Sequence, residues 1–217
     1  MDDTNFDKNS ADIWAQAIES KKVSLRDKDF YPKISNWMDQ FSPRKILDIG
    51  SGQGICSAKI NLTNREYTGI EPSPFLIKRA QELYPDLKDQ FIIGNAYDLP
   101  FPDHTFDASF SIAVWHLLEN IDQASFELSR VLRKDGRFLI ITAHPECYKE
   151  WSEGYDEVKR HGDKILGMDL IQNELKIQDT LFLHSYKKIG SSFSKAKLKI
   201  THSEKIRLWT SISGVKE

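Results

Sequence analysis

Five short segments, separated by turns and helical patterns, are predicted as strands and form the framework of the chain. They cover residues 46–49, 65–70, 91–94, 106–112 and 137–142. The first run, Ile46 to Ile49, lacks the apolar–polar alternation of a half-exposed strand, which is typical of a parallel strand covered on both faces. Strands that alternate with helices favour an α/β fold with a doubly wound parallel sheet.

Apolar residues at helical spacing predict the helices that cover this sheet. These stripes fall at residues 13–18, 34–41, 55–62, 74–84, 121–132 and 186–196. Pro74 at the start of one stripe and Asp135-Gly136 after another are typical of a helix beginning and a helix end. The two helices ahead of the first strand are expected either to cover the sheet or to close over a site.

The last part of the chain predicts two more strands. Leu198 and Ile200 alternate with polar residues, which indicates a strand with one solvated face. A second strand over residues 206–212 is expected to pair back antiparallel across a turn at Ser203-Glu204-Lys205. The lysines of this region are therefore interpreted as a solvated strand face and not as a nucleic-acid patch.

Residues 143–178 interrupt the alternation of strands and helices. The segment carries Tyr148, Trp151 and Tyr155 among many charged residues. Because it follows the fifth strand at the ligand edge of the sheet, it is interpreted as a lid over the substrate. The alternative is an elaboration that packs on the sheet without touching a ligand.

These predictions describe a single domain over residues 1–217. Its parts are an N-terminal helical cap (1–42), a cofactor-binding core (44–142), the lid or substrate insert (143–178) and a C-terminal helix with two strands (179–217).

Composition excludes several classes of protein. The net charge of −2 provides no overall positive field for nucleic acid or anionic lipid, so neither is an expected partner. Cys56 and Cys147 are far apart, which argues against a zinc ribbon or a disulfide framework, and no metal site is expected. The chain shows no apolar run long enough for a membrane span and no signal-peptide pattern at its polar start. We therefore predict a cytoplasmic protein, and no oligomeric state can be predicted.

Three glycines break the chain directly after the first predicted strand, in Gly50-Ser51-Gly52-Gln53-Gly54. Glycines there let the backbone turn sharply and approach a bound molecule closely. Asp48 is a carboxylate in an otherwise apolar strand. Alone, this turn indicates a phosphate site, a nucleotide site or merely a tight turn.

Glu71 stands at the end of the second predicted strand. An acidic residue at this place is suited to bind the two hydroxyls of a ribose. An exposed strand-end glutamate is the alternative, but the glycine turn one strand away favours the ribose role.

Asn95 and Tyr97 follow the third strand. Asn95 can bind the edge of an adenine and Tyr97 can flank the ring, although either residue can instead serve the turn itself. Together with residues 111–116 and 142–145, they fall at the carboxyl edge of the sheet, where doubly wound folds bind their ligands.

With these motifs, the sequence resembles the class I S-adenosylmethionine-dependent methyltransferases, in particular the group that methylates small molecules. The matching segments are Leu47 to Gly54, Gly69 to Ser73, Asn95-Ala96, Leu99 to Asp103, Phe106-Asp107 and Arg130 to Arg137. They occur in the family's order and spacing across residues 44–142, and the pattern then fades.

The resemblance implies an S-adenosylmethionine cofactor, which becomes S-adenosylhomocysteine, on a Rossmann-like seven-stranded sheet with an antiparallel last strand. The turn from Asp48 to Gly54 would bind the methionine moiety, Glu71 the ribose and residues 95–97 the adenine, with Ser111 near the sulfonium. The residues expected to bind the cofactor are Asp48, Gly50, Ser51, Gly52, Glu71, Pro72, Ser73, Asn95, Ala96, Tyr97 and Ser111. The family usually has aspartate where Asn95 stands, but the asparagine oxygen can accept the same hydrogen bond.

The implied reaction is in-line attack of an acceptor on an activated methyl group. Alignment alone can contribute roughly 7–11 kcal/mol, and a general base about 10²–10⁴-fold when the acceptor must lose a proton. His116 and His144 are the candidate catalytic bases, and packing roles are the alternative for both. The expected substrate-binding residues are Trp14, Tyr31, Trp115, His116 and His144, and Arg26 is a further candidate for contact with a ligand.

Competing interpretations remain at this point. A nicotinamide-dependent oxidoreductase also uses glycines after one strand and an acid after the next, but its usual spacing is Gly-x-Gly-x-x-Gly. The methyl acceptor can be a small molecule, through O- or N-methylation, or RNA or protein. A non-catalytic cofactor-binding subunit would also keep the glycine turn.

Overall fold

The computed structural model describes residues 8–19, 25–147, 150, 159–161, 164–172 and 175–217. Its helices are α1 (Lys8–Glu19), α2 (Tyr31–Asp39), α3 (Pro74–Leu83), α4 (Ile121–Val131) and α5 (Tyr186–Lys195). Its strands are β1 (Lys45–Ile49), β2 (Glu66–Glu71), β3 (Phe91–Ile93), β4 (Phe106–Ile112), β5 (Leu132–Ala143), β6 (Lys159–His161), β7 (Lys164–Gln172), β8 (Leu175–Phe182), β9 (Leu198–Ile206) and β10 (Trp209–Lys216). Within these ranges no helix is both long and apolar enough to cross a membrane.

Seven strands form the central sheet in the order β3-β2-β1-β4-β5-β10-β9. The first five are parallel to one another, and β10 lies antiparallel between β5 and β9. The predicted Rossmann-like, doubly wound sheet with an antiparallel last strand is therefore confirmed. Asp48 of β1 lies opposite Gly69 of β2 and Phe110 of β4, so the ends of these strands meet at one edge.

Alternate residues of the central strands enter two hydrophobic cores on the two faces of the sheet. Leu47 and Ile140 pack on one face with α4 and α5. Ile46 and Ile141 pack on the other face with α2 and α3. Because both faces are covered, β1 needs no polar alternation, as its sequence predicted.

The helix predicted at residues 55–62 is wrong, because only one 3₁₀ turn, Ile55–Ala58, forms there. Asn61 ends it, since its side-chain oxygen accepts a hydrogen bond from the Thr63 N–H at 3.0 Å. Asparagine side chains compete with the helical backbone in this way.

The C-terminal hairpin also turns later than predicted. Lys205 and Glu204 lie within β9, opposite Thr210 and Ser211, and the turn falls at residues 207–208. Arg207 adopts a φ of 55°, which the reversal requires. Strand β5 likewise begins earlier than predicted, at Leu132.

The insert after β5 contains a separate three-stranded antiparallel sheet in the order β6-β7-β8, which the sequence pattern did not predict. Tyr148, Trp151 and Tyr155 lie outside the described residues. The lid role of this insert therefore stays a prediction.

Candidate functional site

The glycine turn is held against the end of β2 by its own backbone. The N–H groups of Gly50 and Ser51 both donate to the carbonyl oxygen of Ile70, at 2.8 and 3.0 Å. Gly50, Gly52 and Gly54 all adopt positive φ, of 79°, 55° and 79°. Only glycine adopts this conformation without a steric cost, so the motif produces the turn that its spacing predicted.

The turn leaves open space at one of its glycines. A Cβ atom on Gly52 would meet no atom within 4 Å, whereas one on Gly50 would lie 2.1 Å from Val114 Cγ2. Two buried polar atoms of the turn, Ser51 Oγ and Gln53 Oε1, have no hydrogen-bond partner among the described residues. An open turn with unsatisfied polar atoms fits a polar ligand.

Glu71 links the turn to the start of α3. Its carboxylate accepts hydrogen bonds from the Gly52 N–H at 3.1 Å and the Ser73 N–H at 3.0 Å. Ser73 caps α3 through its side chain, and Pro74 occupies the first turn of that helix. Burial raises the pKa of Glu71 to about 7, although both backbone hydrogen bonds lower it. A buried acceptor with oxygen lone pairs to spare is suited to the hydroxyls of a sugar.

Asp48 is a second buried carboxylate of the turn. The Tyr67 hydroxyl donates to Asp48 Oδ2 at 2.7 Å. Burial, with a smaller contribution from the nearby charge on Glu71, raises the pKa of Asp48 to about 7. The Tyr67 hydrogen bond and the positive charge on Arg26 oppose that rise.

Arg26 lies near four residues that the sequence singled out. Its guanidinium carbon lies 5.6 Å from the centre of the Trp14 ring, and it hydrogen-bonds the buried Tyr31 hydroxyl. Its charge reaches both Asp48 and His116, where it disfavours the protonated imidazole. Arg26 is half-buried, and its positive charge acts on Asp48 of β1 beside the glycine turn.

The loop after β3 is arranged differently from the prediction for Asn95. Asn95 Oδ1 accepts hydrogen bonds from the backbone N–H groups of Tyr97 at 2.8 Å and Asp98 at 3.2 Å. Its side chain therefore serves its own turn, the alternative that the sequence left open. Ala96 is buried beside this turn, and the Tyr97 hydroxyl accepts from the Asn120 N–H at 3.4 Å.

Ser111 is buried and Pro72 is half-buried. Ser111 is 1% exposed, and its hydroxyl donates to the Ile49 carbonyl oxygen at 2.9 Å. It therefore ties β4 to β1 beside the glycine turn. Pro72 lies between Glu71, the last residue of β2, and Ser73, the N-cap residue of α3.

His116 is a buried, neutral imidazole. Its Nδ1 accepts a hydrogen bond from the Ala143 N–H at 3.3 Å and lies 3.1 Å from the Thr142 hydroxyl. Because Nδ1 is an acceptor, the ring proton sits on Nε2. Burial lowers the pKa of His116 to about 3, with smaller contributions from Arg26 and His184.

In His144, as in His116, the ring proton lies on Nε2. Its Nδ1 accepts from the Glu146 N–H at 3.2 Å, which leaves the proton on Nε2. Its ring packs edge-on against Tyr186 at 5.3 Å. Burial lowers its pKa as well, and the charge on Lys205 adds to that effect.

A small cavity lies beside the end of β4. It has a volume of about 10 Å³, room for one water-sized group, and contains no charged side chain. Trp115, His116, Thr142 and His184 line it together with apolar residues. The Trp115 indole N–H is buried and has no hydrogen-bond partner among the described residues.

Two residues of this region escaped the sequence patterns. Gln53 donates from Nε2 to the Ala15 carbonyl oxygen at 3.3 Å, which fastens α1 to the glycine turn. His184 donates from Nε2 to the Leu118 carbonyl oxygen at 2.6 Å beside the cavity. The signal for Gln53 was its place inside the glycine motif, but nothing local in the sequence marks His184.

Comparison with known proteins agrees with this arrangement. Residues 47–140 match the family described as a methyltransferase domain. A fatty-acid O-methyltransferase of Mycolicibacterium smegmatis is 34% identical over 111 residues, which are 50% of this chain and 40% of that protein. A malonyl-[acyl-carrier protein] O-methyltransferase of Halorhodospira halophila is 28% identical over 139 residues, 57% of this chain and 47% of that protein. The aligned regions thus span under half the length of these two relatives.

A solved structure shares the fold over almost the whole chain. It is an S-adenosylmethionine-dependent methyltransferase from Clostridium acetobutylicum, with a TM-score of 0.75 at 12% identity, covering 94% of this chain and 96% of that one. The glycine turn, the buried Glu71 and the strand order lie within the matched region. Residues 47–140 are thus similar to methyltransferase domains in sequence, and the chain has the fold of S-adenosylmethionine-dependent methyltransferases.

Proposed function

We propose that this protein transfers a methyl group from S-adenosylmethionine to a small-molecule acceptor, by O- or N-methylation. The observation that carries the proposal is the pairing of an open glycine turn with the buried Glu71 carboxylate at the end of β2. When bound, the cofactor supplies a methyl group activated by a sulfonium. The protein then has to hold both partners in line and exclude water.

Each part of the proposed cofactor site has a chemical reason. Glu71 accepts hydrogen bonds from the ribose hydroxyls. Ser51 Oγ and Gln53 Oε1, which lack protein partners among the described residues, offer polar contacts at the methionine end. Ala96 and Tyr97 lie on the loop that would face the adenine, whereas Asn95 supports that loop from within.

Arg26 is proposed to bind the carboxylate of the methionine moiety, as an ion pair supported by Trp14 and Tyr31. We expect Arg26→Met to weaken binding of S-adenosylhomocysteine roughly 10- to 100-fold, because a charge-assisted hydrogen bond contributes about 1.5–3 kcal/mol. Isothermal titration measures this loss. Lys28→Met, an exposed residue of the same helical turn, is the matched control and should bind normally. Equal affinities for both variants would contradict the role of Arg26.

On the acceptor side, we propose that His116 and His144 orient the acceptor by donating hydrogen bonds from Nε2, and do not abstract its proton. The support is the backbone N–H that each Nδ1 accepts. Trp115 contributes another N–H donor beside His116. Trp14 and Tyr31 remain proposed substrate contacts.

Transfer of labelled methyl from S-adenosylmethionine to the small-molecule fraction of a cell extract tests the proposed function. We expect label in that fraction, binding of S-adenosylhomocysteine and no binding of NADH. His116→Ala and His144→Ala should each slow the transfer about 10-fold or more while cofactor binding persists, since misplacing an acceptor by about 1 Å can cost roughly 10²-fold. Unchanged turnover in both variants would remove both histidines from the mechanism.

A small-molecule acceptor is favoured over RNA or protein by two observations. The net charge of −2 offers no field that would attract nucleic acid. The two relatives described above are named for a fatty acid and for an acyl-carrier-bound malonyl group, and both names specify O-methylation. A cytoplasmic location belongs to the same proposal, and both cysteines are free and buried.

A further inference from the structure

One face of α4 is devoted to the loop that follows β3. Asn120, Gln123, Glu127 and Arg130 are spaced three, four and three residues apart, so they share a face of the helix. All four bond to residues 97–103 of that loop. We call these four residues the α4 polar stripe.

Glu127 and Arg130 make the densest part of the α4 polar stripe. Glu127 Oε2 accepts from the Leu99 N–H at 2.8 Å, and Arg130 Nη2 donates to the Leu99 carbonyl oxygen at 2.8 Å. Arg130 Nη1 also donates to the Phe101 carbonyl oxygen at 2.7 Å. The two side chains bind each other through two hydrogen bonds of 2.8 Å, so each holds the other in place.

The other end of the stripe holds the part of the loop nearest to the proposed adenine site. Gln123 Nε2 donates to the Tyr97 carbonyl oxygen at 3.1 Å, and the Asn120 N–H donates to the Tyr97 hydroxyl at 3.4 Å. The loop is thus fixed from Tyr97 to Phe101.

Within the loop, the described hydrogen bonds join close neighbours, such as the Phe101 N–H and the Leu99 carbonyl oxygen at 2.7 Å, so the contacts with α4 tie the loop to the rest of the fold. Pro100 and Pro102 have no N–H, which prevents a regular ladder of backbone hydrogen bonds through this segment. Most of the contacted groups are backbone atoms of the loop, among them those of Leu99, which is 2% exposed, and the Tyr97 hydroxyl and the Asp103 carboxylate are contacted side-chain groups. Side chains that fix backbone atoms preorganise a neighbouring binding surface, where shifts of about 0.5 Å matter.

We propose that Glu127 and Arg130 are positioning residues that set the backbone of residues 96–99 and thereby the selectivity of the enzyme for adenine. This inference rests on the proposed cofactor site. It assigns no contact between either side chain and the cofactor. Their effect passes through the backbone of Tyr97 and Leu99.

The test compares two ligands that differ only in the base, S-adenosylhomocysteine and S-inosylhomocysteine. The wild-type protein should prefer the adenine form. Arg130→Lys loses the fork that bonds two carbonyl oxygens at once, so we expect roughly 10-fold weaker binding of S-adenosylhomocysteine and at least about a fivefold fall in the preference ratio. Isothermal titration measures both affinities.

Gln123→Met is a milder second variant, because this exposed side chain contributes only the bond to Tyr97. It should lower the preference ratio in the same direction with an unchanged melting temperature. Lys195→Met is the matched control, since it breaks only the ion pair with Asp122 on α4, at 2.9 Å, and should leave the ratio intact.

The outcomes separate the inference from the proposed function. A wild-type protein that binds neither ligand contradicts the proposed cofactor site itself. A wild-type preference for adenine that Arg130→Lys and Gln123→Met leave unchanged overturns the inference alone. An equal loss of affinity for both ligands assigns the residues a purely structural role and also overturns it.

Discussion

We expect Glu71→Gln to lower the affinity for S-adenosylhomocysteine about 100-fold. Hydrogen bonds to a charged acceptor contribute about 1.5–3 kcal/mol each, and a ribose offers two hydroxyls to this carboxylate. Glutamine keeps the size of the side chain but replaces one acceptor oxygen by a donor. That donor would also oppose the N–H groups of Gly52 and Ser73, which now face the carboxylate at 3.1 and 3.0 Å.

The same carboxylate should make cofactor binding depend on pH. Since the pKa of Glu71 in the ligand-free protein is about 7, the group must lose a proton before it can accept both hydroxyl hydrogen bonds. Affinity should therefore rise as the pH increases through about 7, and Glu71→Gln should remove most of that rise. Asp48, whose pKa is also about 7, accounts for any change of affinity with pH that remains in that variant.

Titration calorimetry between about pH 5.5 and 8.5 measures both effects. Glu66→Gln is the matched control, because Glu66 lies at the exposed start of the same strand and bonds only to Arg44 in the described structure. It should bind the ligand with normal affinity and normal pH dependence. A Glu71→Gln protein that binds as tightly as the wild type would exclude the ribose role.

Gly52→Ala should mainly lower the affinity for S-adenosylhomocysteine, whereas Gly50→Ala should mainly lower the stability of the fold. A methyl group on Gly52 meets no protein atom within 4 Å. The only cost to the folded state is therefore that of an alanine in the left-handed backbone conformation, about 1–2 kcal/mol. The methyl group enters the open space of the proposed cofactor site. Gly52→Ala should therefore keep its fold and lose at least about 10-fold in affinity for S-adenosylhomocysteine.

Gly50→Ala should instead unfold more readily. Its methyl group would lie 2.1 Å from Val114 Cγ2, and overpacking of this kind costs about 1–3 kcal/mol beyond the backbone strain. The double variant Gly50→Ala/Val114→Ala should recover part of that loss, because the clashing methyl groups of Val114 are gone. Thermal unfolding and ligand titration, run on all variants, separate the two defects. Equal stability losses at both glycines would contradict the assignment of open space to Gly52 alone.

The sheet could be predicted because the polarity pattern of its strands agrees with how deeply those strands are buried in the fold. The run from Ile46 to Ile49 is apolar because both faces of β1 are covered, and the two cores require that covering. Ser73 and Pro74 begin α3 as their residue types predict. The pattern failed at residues 55–62, where Asn61 bonds to the backbone two residues on and ends the helical turn early.

The candidate site was predictable in its location and much less in its details. Glu71 and the glycine turn meet because parallel strands end at a common edge, which the strand order alone implies. The side chain of Asn95 was assigned to adenine, yet it bonds within its own turn. A sequence pattern cannot distinguish an asparagine that bonds to adenine from one that bonds within its own turn, because either set of partners satisfies the hydrogen-bonding groups of the side-chain amide.

By itself, then, the sequence determined where the core strands lie along the chain, the glycine turn and the carboxylate at the end of β2, since each depends on short-range patterns of polarity and backbone freedom. Only the tertiary structure decided which glycine faces open space, which nitrogen of His116 and His144 carries the proton, and that α4 holds the loop after β3. These features depend on contacts between residues far apart in the chain, such as Gly50 with Val114 and Glu127 with Leu99. Burial and hydrogen bonding at such contacts are set by the packing of whole elements, which no local pattern records.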